Sequence, residues 1–185
     1  LVLPTAKRTL RLAGSANGLT TIALLGPSEW SLNPFSSNGI FLSPGIARWL
    51  LMNTDIPYRP CETASLGCEV SQVAWAGRAM DHAPSEKRKW ATELLHHFIA
   101  RGEPVNQLSQ GLTPLHEAVL FGDAQYLDIL LSAGADVRAK AASGLTPLEL
   151  CLHLEEKRAS KRGPLCERLK AAQSGKNSGP DKMGL

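Results

Sequence analysis

The chain has 185 residues, of which 43% are hydrophobic and 20% are charged. This balance is typical of a globular domain and excludes a fully disordered chain. The formal net charge of +3 is too small to indicate nucleic-acid binding by itself. The apolar run at residues 22–25 is far shorter than the roughly 20 residues of a membrane span. The composition therefore predicts one domain with extensions and no membrane span.

The first 60 residues carry weak signals. They hold six prolines and two acidic residues, Glu29 and Asp55, among many Gly, Ser and Asn. Residues 20–25 are compatible with a short strand or a buried turn, whereas Ser43 and the apolar residues after Pro44 predict a short helix. We expect residues 1–60 to be an irregular or partly disordered extension, part of which packs on the rest of the chain.

A weak targeting signal precedes the first apolar run. Lys7, Arg8 and Arg11 resemble the basic region of an export signal, but no convincing cleavage pattern follows. We therefore expect a cytoplasmic protein, with export or a periplasmic location as the alternative.

Two helices are predicted between the extension and residue 101. Residues 69–80 carry an apolar stripe that includes Val73 and Ala74. Residues 87–101 carry Leu95, Phe98 and Ile99 at helical spacing, with Ser85 as the start signal. The two segments together predict a helix pair.

The strongest signal is an internal repeat. The pentapeptide GLTPL at residues 111–115 returns at residues 144–148, 33 positions later. Repeats of this period indicate stacked supersecondary units. Thr113 is a candidate N-cap, and Pro114 suits the first helical turn because its missing N–H would be unpaired there anyway. Gly122 is placed to end this helix in a left-handed conformation.

A second helix completes the unit. Tyr126, Leu127, Leu130 and Leu131 form its apolar stripe, and Gly134 is placed to end it. Two short helices with one shared apolar face must stack on neighbours to bury that face.

The chain here resembles an ankyrin repeat. The resemblance rests on GLTPL followed by His116, on residues 118–123 (AVLFGD) and on residues 133–137 (AGADV). It implies an all-α fold, a short ankyrin-type α-solenoid of stacked helix–turn–helix repeats. The sequence around Gly102 matches that around Gly134 at an offset of 32, so the upstream helix pair is a candidate third repeat. We place the repeat domain at residues 61–173.

The pattern fades after Leu148. Glu149 takes the place of His116, and Glu155 that of Gly122, so this helix is expected to run to about Arg158. Residues 165–172 predict a last short helix. We expect residues 174–185 to be a disordered basic tail with a solubilising role, and binding of nucleic acid to it is the less favoured alternative.

The spacing of the four cysteines does not indicate a particular metal site or set of disulfides. Cys61 and Cys68 are too far apart for a typical zinc knuckle but can pair if the protein is exported. Cys151 falls on the inner side of a repeat helix, where it would act as a small hydrophobe. We expect all four to stay reduced.

Few residues are candidates for catalysis. His96 and His97 are helix neighbours, so their side chains point about 100° apart and do not face one metal together. His82 would reach Cys61 or Cys68 only through folding that the sequence does not reveal. Residues 144–147 begin a helix and are not a phosphate loop. We expect no catalytic residue, no metal site and no cofactor.

The resemblance also assigns roles to individual residues. The ring of His116 is expected to hydrogen-bond Thr113 and the backbone of a neighbouring turn. The turn fingers fall at residues 107–110 and 138–143. The signature residues of the two copies are Thr113, Pro114, Leu115, His116, Gly122, Gly134, Thr146 and Pro147. The residues expected to contact a partner are Leu108, Gln110, Glu117, Phe121, Arg138, Lys140, Ser143 and His153.

The resemblance thus predicts a protein-binding module, either an adaptor or an inhibitor. For Phe121, packing on the next helix is an equal alternative to partner contact. Arg138 and Lys140 make the second finger positive, which favours a partner with an acidic patch. We expect a monomer when the chain is free. A specific form is a bacterial immunity or antitoxin-like protein; the alternative from another class is a metal- or thiol-dependent enzyme with its site in residues 1–82.

Overall fold

The computed structural model describes residues 19–20, 23–24, 44–54, 71–82, 85–158 and 162–175. Within these residues the chain is all-α, as predicted, and no strand is present. No helix among them is long and apolar enough to cross a membrane. The helices are α1 (Pro44–Asn53), α2 (Gln72–His82), α3 (Ser85–Ala100), α4 (Pro114–Phe121), α5 (Ala124–Ser132), α6 (Pro147–Arg158) and α7 (Gly163–Gly175).

The chain divides into two compact units, Leu1–Glu103 and Pro104–Leu185. In the first unit α3 packs against both α2 and α1. Arg48 on α1 forms a salt bridge with Glu93 on α3, and its guanidinium lies 5.5 Å from the centroid of the Trp90 ring. Arg101 donates to the carbonyl of Thr54 at 3.0 Å. The predicted helix after Pro44 is therefore present and packs on the second helix of the upstream pair.

The start of α2 is held by polar side chains. The hydroxyl of Ser71 accepts a hydrogen bond from the N–H of Ala74 at 3.1 Å, which is the N-cap arrangement. The buried hydroxyl of Thr20 donates to the side chain of Gln72 at 2.6 Å. Residues 19–20 and 23–24 are helical and buried, so a strand at residues 20–25 is wrong for the described part of that segment. The rest of residues 1–60 outside α1 and Thr54 is not described.

Three helices end in the same way, which supports the predicted equivalence of Gly102 and Gly134. Gly102, Gly122 and Gly134 have φ values of 86°, 72° and 81°. The N–H of the residue after each glycine bonds the carbonyl five positions earlier, at 3.0 Å in every case; these pairs are Glu103 with Phe98, Asp123 with Ala118, and Ala135 with Leu130. This 6→1 bond is the Schellman motif, which satisfies a carbonyl at the helix end.

In the second unit, α4 packs on α5 and α6, and α7 packs on α6 and α5. Asp123 caps α5 by accepting from the N–H of Tyr126 at 3.0 Å. The predicted inner faces are confirmed, except that Leu131 is half-buried. The buried residues of these two faces are Leu115, Ala118 and Val119 on α4, and Tyr126, Leu127 and Leu130 on α5.

The end of the second unit departs from the sequence prediction in two respects. Helix α6 runs to Arg158 as expected, but α7 extends to Gly175, so residues 174–175 are helical and not part of a disordered tail. Cys151 and Cys166 form a disulfide, so the expectation that every cysteine stays reduced is wrong for this pair. The two sulfurs meet because α7 folds back along α6, a contact that sequence spacing does not reveal. Cys61, Cys68 and the remainder of the tail lie outside the described residues.

Candidate partner-binding surface

His116 links the two copies of the repeat. Thr113 has the extended backbone of an N-cap, but its hydroxyl makes no capping bond to the backbone. It lies instead 2.7 Å from Nδ1 of His116, whose Nε2 lies 2.9 Å from the carbonyl oxygen of Leu145. A carbonyl can only accept, so Nε2 carries the proton and Nδ1 accepts from Thr113. The predicted role of His116 is confirmed.

The environment of His116 favours the neutral ring. Burial lowers the pKa of its imidazole below 6.5, and the bond to Leu145 opposes this shift only in part. Burial has this effect because it disfavours the charged form. A neutral imidazole has one N–H donor and one acceptor nitrogen. These match the two hydrogen bonds of His116, which donates to Leu145 and accepts from Thr113.

The second copy replaces this link with a local cap. The Glu149 carboxylate accepts from the N–H of Thr146 at 2.7 Å and from its hydroxyl at 2.8 Å, while the N–H of Glu149 donates to that hydroxyl at 3.3 Å. This is a capping box. The backbone and side-chain hydrogen bonds from Thr146 lower the pKa of Glu149. The His-to-Glu change thus turns a bond between repeats into one within a single turn.

The first finger is a tight turn. Ser109 and Leu112 exchange backbone hydrogen bonds of 2.8 and 3.1 Å. The two residues between them, Gln110 and Gly111, have φ values of 54° and 81°. Positive φ at both central positions is what a type I′ turn requires. This geometry directs the Gln110 side chain outward, where it is exposed.

The second finger is joined to the first through the backbone. Its own turn is closed by bonds from Ala141 N–H to the Leu145 carbonyl and from Gly144 N–H to the Ala141 carbonyl, both 2.9 Å. The N–H of Ala142 donates to the Gly111 carbonyl at 2.7 Å. A Cβ added to Gly111 would lie 3.0 Å from that of Ala142, so a larger residue would push the fingers apart.

A side chain adds a second connection. Oδ1 of Asn106, just before the first finger, accepts from the N–H of Asp136 at 2.8 Å. Asp136 in turn accepts from the N–H of Arg138 at 3.0 Å. The two fingers therefore form one continuous surface, which we call the finger surface, made of residues 107–110 and 138–143. The sequence prediction gave Asn106 no contact role, although Asn106 lies four positions after the helix-ending Gly102, in a segment that also contains Pro104 and is typical of a turn.

The finger surface brings together most of the predicted contact residues. Its exposed members include a large apolar side chain, Leu108, which is 50% exposed. The other predicted contact residues that are exposed there are Gln110, Arg138, Lys140 and Ser143. His153 is also exposed, but it lies on α6 and outside this surface.

Glu117 corrects the prediction. It is only 1% exposed, so the expectation that it faces a partner is wrong. Residues 114–119 of α4 are all buried, which means that this short helix is covered on every side over its first turn and a half. Phe121 at the end of α4 is half-buried, and both its packing and its partner-contact interpretation stay open.

The described residues contain no group of three or more His, Cys, Asp or Glu side chains that could hold a metal ion. On α3, His96 is exposed and His97 is half-buried, so the two side chains diverge as expected. The predicted alternative at Cys61, Cys68 and the His82 side chain falls outside the described residues.

Short helix pairs joined by hydrogen-bonded fingers define a helical repeat protein. Residues 110–142 match the family model of the ankyrin repeat. The chain therefore carries an ankyrin repeat, and the resemblance predicted from the sequence is confirmed. Repeats of this family are generally protein–protein interaction modules.

Three relatives are similar to part of this chain. The chain is 46% identical over 90 residues to the ARF GTPase-activating protein Git of Drosophila melanogaster, which covers 48% of this chain and 11% of that protein. It is 42% identical over 60 residues to the potassium channel AKT1 of Oryza sativa subsp. indica, covering 32% of this chain and 6% of the channel.

The third relative is the ankyrin repeat-containing protein P1E11.10 of Schizosaccharomyces pombe. It is 36% identical over 62 residues, which cover 34% of this chain and 30% of that protein. The chain thus spans less than a third of the length of any of these relatives.

Proposed function

We propose that this chain binds a partner protein through the finger surface, as an adaptor or an inhibitor, and that it has no catalytic step of its own. The proposal rests mainly on the hydrogen bond from the N–H of Ala142 to the carbonyl of Gly111. This bond holds the two fingers in a fixed arrangement in the free protein. A preorganised surface loses less conformational entropy on binding.

The exposed side chains favour a partner of a particular chemistry. Arg138 and Lys140 place two positive charges on the second finger, and Leu108 offers an apolar anchor on the first. Arginine and large apolar side chains contribute strongly to interfaces. We therefore take the partner to be a protein with an acidic patch beside an apolar pocket.

The relatives support a binding module over a single activity. Their names describe a GTPase-activating protein, a potassium channel and a repeat-containing protein, so the shared segment accompanies unrelated activities. We take the free chain to be a monomer with one partner-binding surface. An immunity or antitoxin-like role is one form of the inhibitor proposal, and no described contact favours it over an adaptor.

The test compares binding partners of matched charge variants of the full chain. Proteins captured from the native cell extract are identified by mass spectrometry, and the affinity of each purified candidate is then measured by calorimetry. Arg138→Glu with Lys140→Glu should weaken binding of the true partner by at least about 10-fold, as loss of two interface charges does. Lys170→Glu, an exposed charge reversal on α7, is the control and should change the affinity less than about 2-fold.

Equal affinity of both variants for every captured protein would place the function outside the second finger. Leu108→Asp separates the two parts of the proposal. If it abolishes binding while the charge variant does not, the finger surface is used but the acidic-patch assignment is wrong.

A further inference from the structure

A covalent link joins the last two helices. Cys151 lies in α6 and Cys166 in the first turn of α7, with their Cα atoms 5.7 Å apart. That separation lies within the range that disulfides span. The two residues are 0% and 1% exposed, so the sulfurs lie inside the second unit and not on its surface.

The segment tied down by this link reaches the other helices of the unit. Arg162, next to the start of α7, donates from Nε to the Val119 carbonyl at 3.0 Å and from Nη2 to the Leu120 carbonyl at 2.7 Å. These carbonyls belong to the last turn of α4, where backbone acceptors lack helical partners and a cation is favourable. Arg162 therefore binds the C-terminal end of α4, the helix that carries His116. We call these two hydrogen bonds the Arg162 clamp.

Without the covalent link, α7 is held by modest interactions. Three of its residues are buried, Leu165, Cys166 and Leu169. Arg168 pairs with Asp128 on α5, but both side chains are about half exposed. Exposed ion pairs contribute little. The disulfide thus adds a covalent constraint to the burial of Leu165 and Leu169 and to the Arg162 hydrogen bonds that hold this end of the chain.

We propose that the Cys151–Cys166 disulfide is a redox-controlled lock that holds α7 against α6 and α5, and thereby holds the Arg162 side chain against the end of α4. The opening reaction is thiol–disulfide exchange with a dithiol reductant. A thiolate of the reductant attacks one sulfur, the S–S bond breaks and a mixed disulfide forms. The second thiol of the reductant then displaces the remaining cysteine. Two electrons and two protons pass to Cys151 and Cys166, and the reductant leaves as a disulfide.

Because the two sulfurs are buried, the disulfide can be reduced only when this part of the structure opens. A reductant cannot reach either sulfur while α7 stays docked, so exchange requires local opening of the α6–α7 pair. Interactions that hold α7 in place should therefore slow reduction. Among these, the Arg162 clamp consists of two hydrogen bonds to α4, a helix that carries neither cysteine.

The first experiment establishes the link in the full chain, oxidised in a glutathione buffer, alkylated and digested with trypsin without reduction. We expect a cross-linked pair of peptides, residues 141–157 and 163–168. Alkylation of both Cys151 and Cys166, or a cross-link of either one to Cys61 or Cys68, would overturn the proposal.

The second experiment tests the lock as a stabilising device. Urea unfolding of the second unit is followed for the full chain with and without dithiothreitol. The disulfide closes a segment of 15 residues, and loops of this size shift the unfolding equilibrium by about 100-fold. Cys151→Ala with Cys166→Ala should match the reduced chain and lose its response to dithiothreitol. If dithiothreitol does not change the urea concentration at the unfolding midpoint, the proposal is wrong.

The third experiment tests the conditional opening. The rate of reduction by a fixed concentration of dithiothreitol is measured in native buffer. Arg162→Ala should raise this rate by at least about 10-fold, because it removes two charge-assisted hydrogen bonds. Lys170→Ala, which loses a pair within α7 alone, should leave it within about 2-fold. If Arg162→Ala does not fold, Arg168→Ala serves instead and should raise the rate less steeply; equal rates in all folded variants contradict the conditional opening.

Discussion

Nε2 of His116 donates to the carbonyl of Leu145 across 2.9 Å, and these residues are 29 positions apart in the chain. The bond joins the first helix of one repeat to the turn that begins the next. It therefore couples the position of α4 to that of the second finger. Several consequences can be measured.

The first prediction concerns the strength of this link. His116→Ala removes the acceptor of the buried Thr113 hydroxyl and one of two donors to the Leu145 carbonyl, which keeps its bond from the N–H of Ala141. Loss of such bonds typically costs about 1–3 kcal/mol. Urea unfolding should show this decrease in the free energy of unfolding. His153→Ala, at an exposed position on α6, is the control and should change it by less than about 0.5 kcal/mol; a similar effect of both changes would contradict the link.

The second prediction concerns pH. The pKa of His116 is lowered in the folded chain, so the unfolded chain binds a proton more readily as the pH falls. The contribution of His116 to stability is complete above the unfolded pKa of about 6.5 and is lost as the pH falls from there through the folded pKa.

Unfolding should be measured from pH 8 to pH 5 for the natural chain and for His116→Gln. The natural chain should lose more stability in this range, by at most about 1.4 kcal/mol per pH unit. Parallel curves for the two proteins would show that another group causes the pH dependence.

The third prediction compares two glycines with the same backbone conformation. Gly111 and Gly144 have φ values of 81° and 82°, so an alanine at either position is strained by roughly 1 kcal/mol. A Cβ at Gly144 meets nothing within 4 Å, whereas one at Gly111 meets Ala142 at 3.0 Å. Gly111→Ala should therefore destabilise the chain more than Gly144→Ala in thermal unfolding. Equal losses would mean that the fingers are not held as close as the bond between them indicates.

The fourth prediction tests the inner face of α5. Leu130 is fully buried, and Leu130→Ala should cost about 2–5 kcal/mol, from lost burial and the cavity left behind. Leu108→Ala, at a half-exposed finger position, should cost far less. A loss below about 0.5 kcal/mol for Leu130→Ala would show that this face is wrongly assigned.

Much of the fold could be predicted from short-range patterns. The 33-residue period located the two copies, and Pro114 and Pro147 marked the starts of α4 and α6. Gly122 and Gly134 marked the ends of α4 and α5, because a helix that ends in the left-handed conformation strongly prefers glycine. Each of these signals reflects a backbone conformation that is set by residues within a few positions. It can therefore be recognised from the sequence alone.

The candidate site was predicted less completely. Leu108, Gln110, Arg138, Lys140 and Ser143 were placed correctly on exposed fingers, since turn positions face solvent in most settings. The burial of Glu117 was missed, because helical periodicity does not reveal how many sides of a short helix are covered.

The sequence by itself determined the repeat, its helix boundaries and the residues of its fingers. Tertiary structure alone decided that Cys151 meets Cys166, that Arg162 clamps the end of α4 and that Ala142 bonds Gly111. These contacts join residues between 15 and 43 positions apart. Such pairs form only when packing brings separate helices and turns together, and no local preference of the chain specifies them.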